Sequence, residues 1–173
     1  MVSQRGIEVD LDKIKAIVKM KPPRTEKEIR GFLGRIQYIS RFIAQLTMTC
    51  EPNFRLLKKE VPTVWKEQCQ EDFEKIKNYL MKPPILVPSL PKKPLLLYLT
   101  TTDTTMGASL AQYLQENRKE NAIYYISKKM LPYEEKYSPL EKTCVVFVWA
   151  THKLRHYMFV YKVLLIVRID PLK

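Results

Sequence analysis

Residues 95–103 read Leu95-Leu96-Leu97-Tyr98-Leu99-Thr100-Thr101-Thr102-Asp103, an apolar run that closes on three threonines and a lone carboxylate and continues into residues 104–112. The pattern predicts a strand ending at Asp103, a small turn, and a second strand carrying Gly107, Ala108, Leu110 and Gln112. A strand end of this kind holds one acid rigidly at a sheet edge. Its chemistry depends on whether other acids return to meet it.

Downstream, residues 115–121 are polar and predict a turn, residues 122–128 a third strand, residues 138 to about 158 a helix, and residues 162–170 a last strand ending in Asp170. Three strands, a helix and a strand make an α+β layer. Upstream, residues 85–94 contain Pro88, Pro91 and Pro94, too poor in backbone donors for a central strand, and read as a linker.

Before that linker the period is helical. Residues 10–20 place Leu11, Ile14, Ile17 and Val18 on one face, and Pro22-Pro23 end the helix. Thr25 and Glu28 form a capping-box pattern that opens a long helix, with Ile29, Phe32, Leu33, Ile36, Ile39 and Ile43 inward and Arg30, Arg35 and Arg41 elsewhere on its surface. Gly31 and Gly34 inside that helix each cost about 1 kcal/mol relative to Ala, so close packing against a neighbour is expected. Residues 54–59 predict a further short helix. Trp65, Cys69, Phe73, Ile76 and Leu80 mark another, closed by Pro83-Pro84. The expected organisation is a helical module over residues 1–84, a linker over 85–94 and an α+β part over 95–173.

The chain carries 30 Lys and Arg against 18 Asp and Glu, a net charge of +12 spread along its 173 residues. Such a field favours polyanions, chiefly nucleic acid. Cys50, Cys69 and Cys144 are odd in number and lack a CxxC pair, which argues against a disulfide framework or a zinc site and for a reducing compartment. No apolar run approaches the length of a membrane span. An intracellular protein without a membrane partner is expected.

An ordered series of residues carries a family resemblance. The helical half, with Glu28-Ile29-Arg30-Gly31-Phe32-Leu33-Gly34, Tyr38, Arg41-Phe42-Ile43, Trp65 and residues 73–80, resembles the thumb and connection region of gypsy-like LTR retrotransposon reverse transcriptases. The second half has Thr102-Asp103, Gly107-Ala108, Tyr125-Ile126-Ser127-Lys128, Tyr137-Ser138, Glu141-Lys142, Trp149-Ala150, Leu154-Arg155-His156-Tyr157 and Asp170-Pro171-Leu172-Lys173. It resembles the RNase H domain that follows in the same Pol polyproteins.

That resemblance implies a fragment of a reverse transcriptase/RNase H polyprotein, acting on RNA–DNA hybrid or duplex nucleic acid, with the rest of the Pol polyprotein as a further partner and cytoplasmic particles as its place of action. The polymerase palm would lie upstream, and no Tyr-x-Asp-Asp occurs here, so the chain is not expected to polymerise DNA alone. Hybrid hydrolysis in the family uses carboxylates holding two Mg²⁺ ions about 4 Å apart. Asp103 matches the first acid and Asp170 the one ending the fourth strand. On the helix the family pattern is Glu-x-Glu, whose second Glu is the ligand. Counting back from Trp149-Ala150, that position is Thr143, and Glu141 matches the other Glu. Two helical residues turn a side chain by about 200°, so Glu141 does not replace a ligand at Thr143.

The chain also stops at Lys173, just after the fourth strand, so a truncated RNase H-like sheet with one open edge is expected. These features favour a catalytically silent chain that binds nucleic acid weakly. The alternatives are an active Mg²⁺ nuclease using Asp103, Glu141 and Asp170, and a scaffold piece without nucleic-acid affinity. Arg30, Arg35, Arg41, Lys58 and Lys59 are the expected phosphate contacts. Tyr124, Tyr125, Tyr133, Tyr137 and Tyr157 are candidates for stacking on bases. His152 and His156 have the i, i+4 spacing of zinc ligands but no third ligand, and with Lys153 and Arg155 read as basic surface.

Overall fold

A computed structural model of the chain describes residues 2–3 (backbone), 6–57, 64–113 and 119–167. It separates into two compact units, Met1–Ile85 and Leu86–Lys173. Lys58, Lys59 and Asp170 lie outside the described residues.

The first unit opens with strands β1 (Val2–Ser3) and β2 (Gly6–Ile7), paired antiparallel. Helix α1 (Leu11–Val18) is capped by Asp10, whose carboxylate accepts from the Asp12 N–H at 2.9 Å. Ile14 and Ile17 are buried, whereas Leu11, expected inward, is exposed because it sits in the first turn beyond the buried stripe. Helix α2 (Glu26–Tyr38) begins with the expected capping box: the Thr25 hydroxyl accepts from the Glu28 N–H at 3.3 Å, and the Glu28 carboxylate accepts from Thr25 N–H at 3.1 Å and Arg24 N–H at 2.8 Å. These backbone donors hold the Glu28 carboxyl below the usual range.

Ile29, Phe32, Leu33 and Ile36 are buried along α2, but the helix stops at Tyr38. A 3-10 turn, Ser40–Phe42, follows, and Gln45 reverses the chain with φ 52°. Ile39 and Ile43 are buried as expected, from this irregular stretch and not from a continuous helix. Short helices α3 (Leu46–Thr49) and α4 (Glu51–Arg55) come next, the second with Pro52 in its first turn, where a missing N–H costs nothing. Helix α5 (Glu67–Met81) buries Cys69, Phe73, Ile76 and Leu80. The Phe73 ring meets Phe32 at 4.9 Å and Trp65 edge-on at 6.0 Å. The Tyr79 hydroxyl donates to the Phe42 carbonyl at 3.0 Å.

The second unit is mixed α+β. Strands β3 (Leu95–Thr101), β4 (Thr105–Tyr113), β5 (Glu120–Lys129) and β6 (Val163–Ile166) stand in the order β5-β4-β3-β6. β3 pairs antiparallel with β4 and parallel with β6, so the crossover to β6 carries helix α6 (Pro139–Lys153) and the short α7 (Arg155–Met158). The single expected helix breaks at Leu154, which is itself buried. Ala150 and Leu154 pack with Leu95, Leu97, Ala108, Leu110 and Ile123. Each fully buried leucine there contributes about 1.5–3 kcal/mol. Val148 is 65% exposed, since only one face of α6 meets the sheet.

Of residues 85–94, read from their prolines as a linker, residues 86–94 belong to this unit and are hydrogen-bonded into it. Val87 N–H donates to the Ala122 carbonyl at 2.9 Å. The fully buried Gln112 amide accepts from Leu90 N–H at 2.8 Å and donates to the Leu90 and Lys93 carbonyls, both at 3.1 Å. One glutamine side chain thus supplies the partners that a proline-interrupted backbone cannot find in a ladder.

Candidate functional site

Two places hold the residues singled out from the sequence. The first is the corner where β3, its turn and α6 meet. β3 ends at Thr101, so Asp103 is not the last strand residue but lies in the turn before β4. Thr102 builds that turn. Its hydroxyl accepts from Thr105 N–H at 2.9 Å and from Thr104 N–H at 3.4 Å, and its own N–H donates to the Thr105 carbonyl at 2.9 Å. The Asp103 side chain is fully exposed, at 107% relative accessibility.

Glu141 serves as the acid of a second capping box. Its carboxylate accepts from Ser138 N–H at 2.8 Å, and the Ser138 hydroxyl accepts from Glu141 N–H at 3.4 Å. Hydrogen bonds from Ser138 hold the Glu141 carboxyl below its ordinary range. The Thr143 hydroxyl turns back along α6 to donate to the Pro139 carbonyl at 2.9 Å. Between them is Lys142, whose Nζ donates to the Asp103 carbonyl at 3.3 Å and lies 4.0 Å from its Oδ1. Sequence reading passed over this lysine, although its place beside Glu141 was in view.

A divalent cation does not fit what is described of this corner. One carboxylate points to solvent, one caps a helix, a hydroxyl stands at the third place, and a buried ammonium occupies the approach. Among the described residues no group of three or more His, Cys, Asp or Glu side chains is arranged to hold a metal ion.

The second place is a groove of about 520 Å³ on the first unit, lined by Lys13 and Ala16 of α1 and by Arg30, Gly31, Gly34, Arg35 and Tyr38 of α2. Residues 31, 34, 35 and 38 share one helical face. The expected packing partner of Gly31 and Gly34 is absent from the described residues, because a Cβ built at either position meets nothing within 4 Å. Lys13 Nζ stands 5.4 Å from the centroid of the exposed Tyr38 ring. Arg30 is held by Glu26 at 2.6 Å, whereas Arg41 lies over the Phe42 ring at 4.8 Å, away from the groove lining. Of the three expected arginines, the structure therefore brings together Arg30 and Arg35. Lys13 and Tyr38 were missed as site residues. Their polar or amphipathic character at helix positions opposite the apolar stripe was the available signal.

Of the tyrosines considered for stacking, Tyr133 and Tyr137 meet edge-on at 6.3 Å, while Tyr124 and Tyr157 pack on the sheet core. His152 and His156 lie on either side of the Leu154 break and so no longer share a regular helix face.

Residues 65–165 match the family described as the RNase H-like domain found in reverse transcriptase. Over 175 residues the chain is 34% identical to the retrovirus-related Pol polyprotein from transposon 297 of Drosophila melanogaster, covering 100% of this chain and 16% of that protein. It is 30% identical over 157 residues to the transposon Tf2-3 polyprotein of Schizosaccharomyces pombe, covering 91% of this chain and 12% of that one. Each of these relatives is thus several times longer than the matched segment. Among solved structures, the foamy viral protease-reverse transcriptase dRH in complex with double-stranded DNA aligns with a TM-score of 0.81 at 20% identity, over 99% of this chain and 30% of that one. The foamy viral protease-reverse transcriptase in complex with RNA/DNA hybrid aligns with a TM-score of 0.79 at 21% identity, over 97% of this chain and 23% of that one. At these identities the likeness is one of fold.

Proposed function

Since the chain belongs to the family of RNase H-like domains found in reverse transcriptases, we propose that it is a segment of a gypsy-like retrotransposon Pol polyprotein that grips duplex or hybrid nucleic acid without cleaving it. In this reading residues 1–84 are thumb and connection, residues 95–173 are the RNase H-like part, and the chain works in the cytoplasm beside the rest of its polyprotein. The solved neighbours in complex with double-stranded DNA and RNA/DNA hybrid support the choice of ligand.

The observation that carries the reading is the glycine-floored groove of α2. Two solvent-facing glycines in a helix cost about 1 kcal/mol each, and nothing described in the chain compensates them. A flat strip flanked by Lys13, Arg30 and Arg35 and ended by an exposed tyrosine admits a sugar-phosphate backbone closer to the helix than side chains would allow. Arg30 spends part of its charge on Glu26, leaving Lys13 and Arg35 as the main phosphate contacts. The corner described above supports silence in cleavage, since among the described residues Asp103 and Glu141 do not converge on a cation.

Fluorescence anisotropy of a labelled RNA–DNA hybrid tests the groove. The double variant Lys13→Ala, Arg35→Ala is expected to weaken binding and to flatten the log K against log salt slope by about 2, roughly one for each lost phosphate contact. An unchanged slope would remove the groove from the interface.

A further inference from the structure

Lys142 is the one residue of the carboxylate corner whose burial has no account so far. Its side chain is 11% exposed, and it lies in the first turn of α6, which starts at Pro139. Both facts oppose a cation. Desolvation penalises the ammonium, and the N-terminal end of a helix carries partial positive charge. A lysine held there needs acceptors, and among the described residues these are the carbonyl of Asp103 at 3.3 Å and the carboxylate of Asp103 at 4.0 Å, a residue 39 positions earlier in the chain. The Thr102 turn fixes that carbonyl in place through three hydrogen bonds of its own.

We propose that Lys142 is a positioning residue, a fixed ammonium that locks the Asp103 turn against α6 and, by its charge, keeps a divalent cation out of the corner. The inference rests on the reading that this corner is not a metal-dependent nuclease. A cation approaching the Asp103 carboxylate meets a like charge 4.0 Å from that carboxylate. Although the exposed carboxylate is screened by water, repulsion between a divalent ion and an ammonium at this range still lowers affinity by about tenfold. Glu141 stays ionised, but Ser138 holds its carboxylate at the helix start, and it forms no ion pair with Lys142 among the described residues. Thr143 brings none, with its hydroxyl bonded to Pro139.

The test uses the whole chain and reads turn order and cation affinity instead of cleavage. Mn²⁺ is the probe, followed by paramagnetic broadening of the Asp103 amide signal, with hydrogen exchange at the Thr104 and Thr105 amides measured alongside. The wild-type chain is expected to show no saturable broadening at Asp103. In Lys142→Met, exchange at the turn should speed up and Mn²⁺ affinity at Asp103 should rise, each by about tenfold, as removal of one charge at this range allows. Lys142→Arg should restore slow exchange and exclude Mn²⁺ again. If Lys142→Met does not fold, Lys142→Gln keeps a donor for the carbonyl without charge, and raised Mn²⁺ affinity in it supports the charge role. Unchanged exchange and affinity in the uncharged variants overturn the role of the lysine alone. Saturable Mn²⁺ binding at Asp103 in the wild type overturns it together with the non-metal reading of the corner, and hybrid cleavage by the wild type contradicts the functional proposal directly.

Discussion

Asn53 is fully buried, and among the described residues neither its amide nitrogen nor its amide oxygen has a hydrogen-bond partner. An unsatisfied buried amide costs about 1–3 kcal/mol, more than a well-made hydrogen bond returns. Nearby chemistry adds no reactive role: burial, with the negative charge of Asp72 second, pushes the Cys50 thiol up to about 12, so it stays protonated. Asn53→Leu removes the stranded polar atoms at similar volume and is expected to stabilise the chain by about 1–3 kcal/mol in urea melts. A loss of stability would mean that the amide has a partner beyond the described residues.

Sequence legibility also divides at this scale. Thr25, Glu28, Ser138 and Glu141 stand as caps because a short polar side chain three residues before a carboxylate has few other uses at a helix start. Lys142 was not legible as an anchor, because its partner is a carbonyl 39 residues away and backbone acceptors leave no mark in sequence. Asp103 was placed one element too early, since the Thr102 side chain ends the ladder before the acid is reached.

Among the elements, α2 presents an exposed face carrying Gly31 and Gly34. Gly31→Ala and Gly34→Ala are expected to raise stability by about 1 kcal/mol each, because helix propensity improves and the added methyls meet no atoms. The same variants should bind hybrid less tightly. Gains in both stability and affinity would refute the groove, and the pair of measurements separates a functional glycine from a tolerated one.

The sheet has a different lock, which spans three of its four strands. The phenols of Tyr98 and Tyr113 donate to the Glu120 carboxylate at 2.6 and 2.8 Å, tying β3, β4 and β5 together. Hydrogen bonds from Tyr98 and then Tyr113 hold the Glu120 carboxyl below its usual range, while the bond to Glu120 pushes Tyr98 up to about 12. A lowered carboxyl stabilises the fold above its ordinary value of 4.5, and that contribution is lost as pH falls through the folded value. A raised phenol stabilises below its ordinary value of 10.0, and that contribution is lost as pH rises towards about 12. Thermal melts of Glu120→Gln should therefore lose part of the fall in stability on both sides of this window, while wild-type melts keep it. Identical pH profiles would show that the triad contributes nothing.

Element types were readable because the period changes from 3.6 to 2 near residue 95, and each strand lies between turn residues. Element ends were less so. The predicted run through Ile43 ends at Tyr38, where only a 3-10 turn and the left-handed Gln45 let the next apolar residues reach the same core. The segment 86–94 looked like a linker because proline removes donors, and the Gln112 side chain that satisfies it comes from β4.

For the whole molecule, the +12 charge and membership of the RNase H-like family support a polyanion as the proposed ligand, and the proposed loss of hydrolysis is assigned to the carboxylate corner. The direct test is incubation of the purified chain with a labelled RNA–DNA hybrid in Mg²⁺ or Mn²⁺, with binding and cleavage read from the same samples beside Asp103→Asn. Salt-sensitive binding without cleavage, the same in both proteins, is the expected outcome. Metal-dependent cleavage that disappears in Asp103→Asn would contradict it and make the corner an active nuclease site.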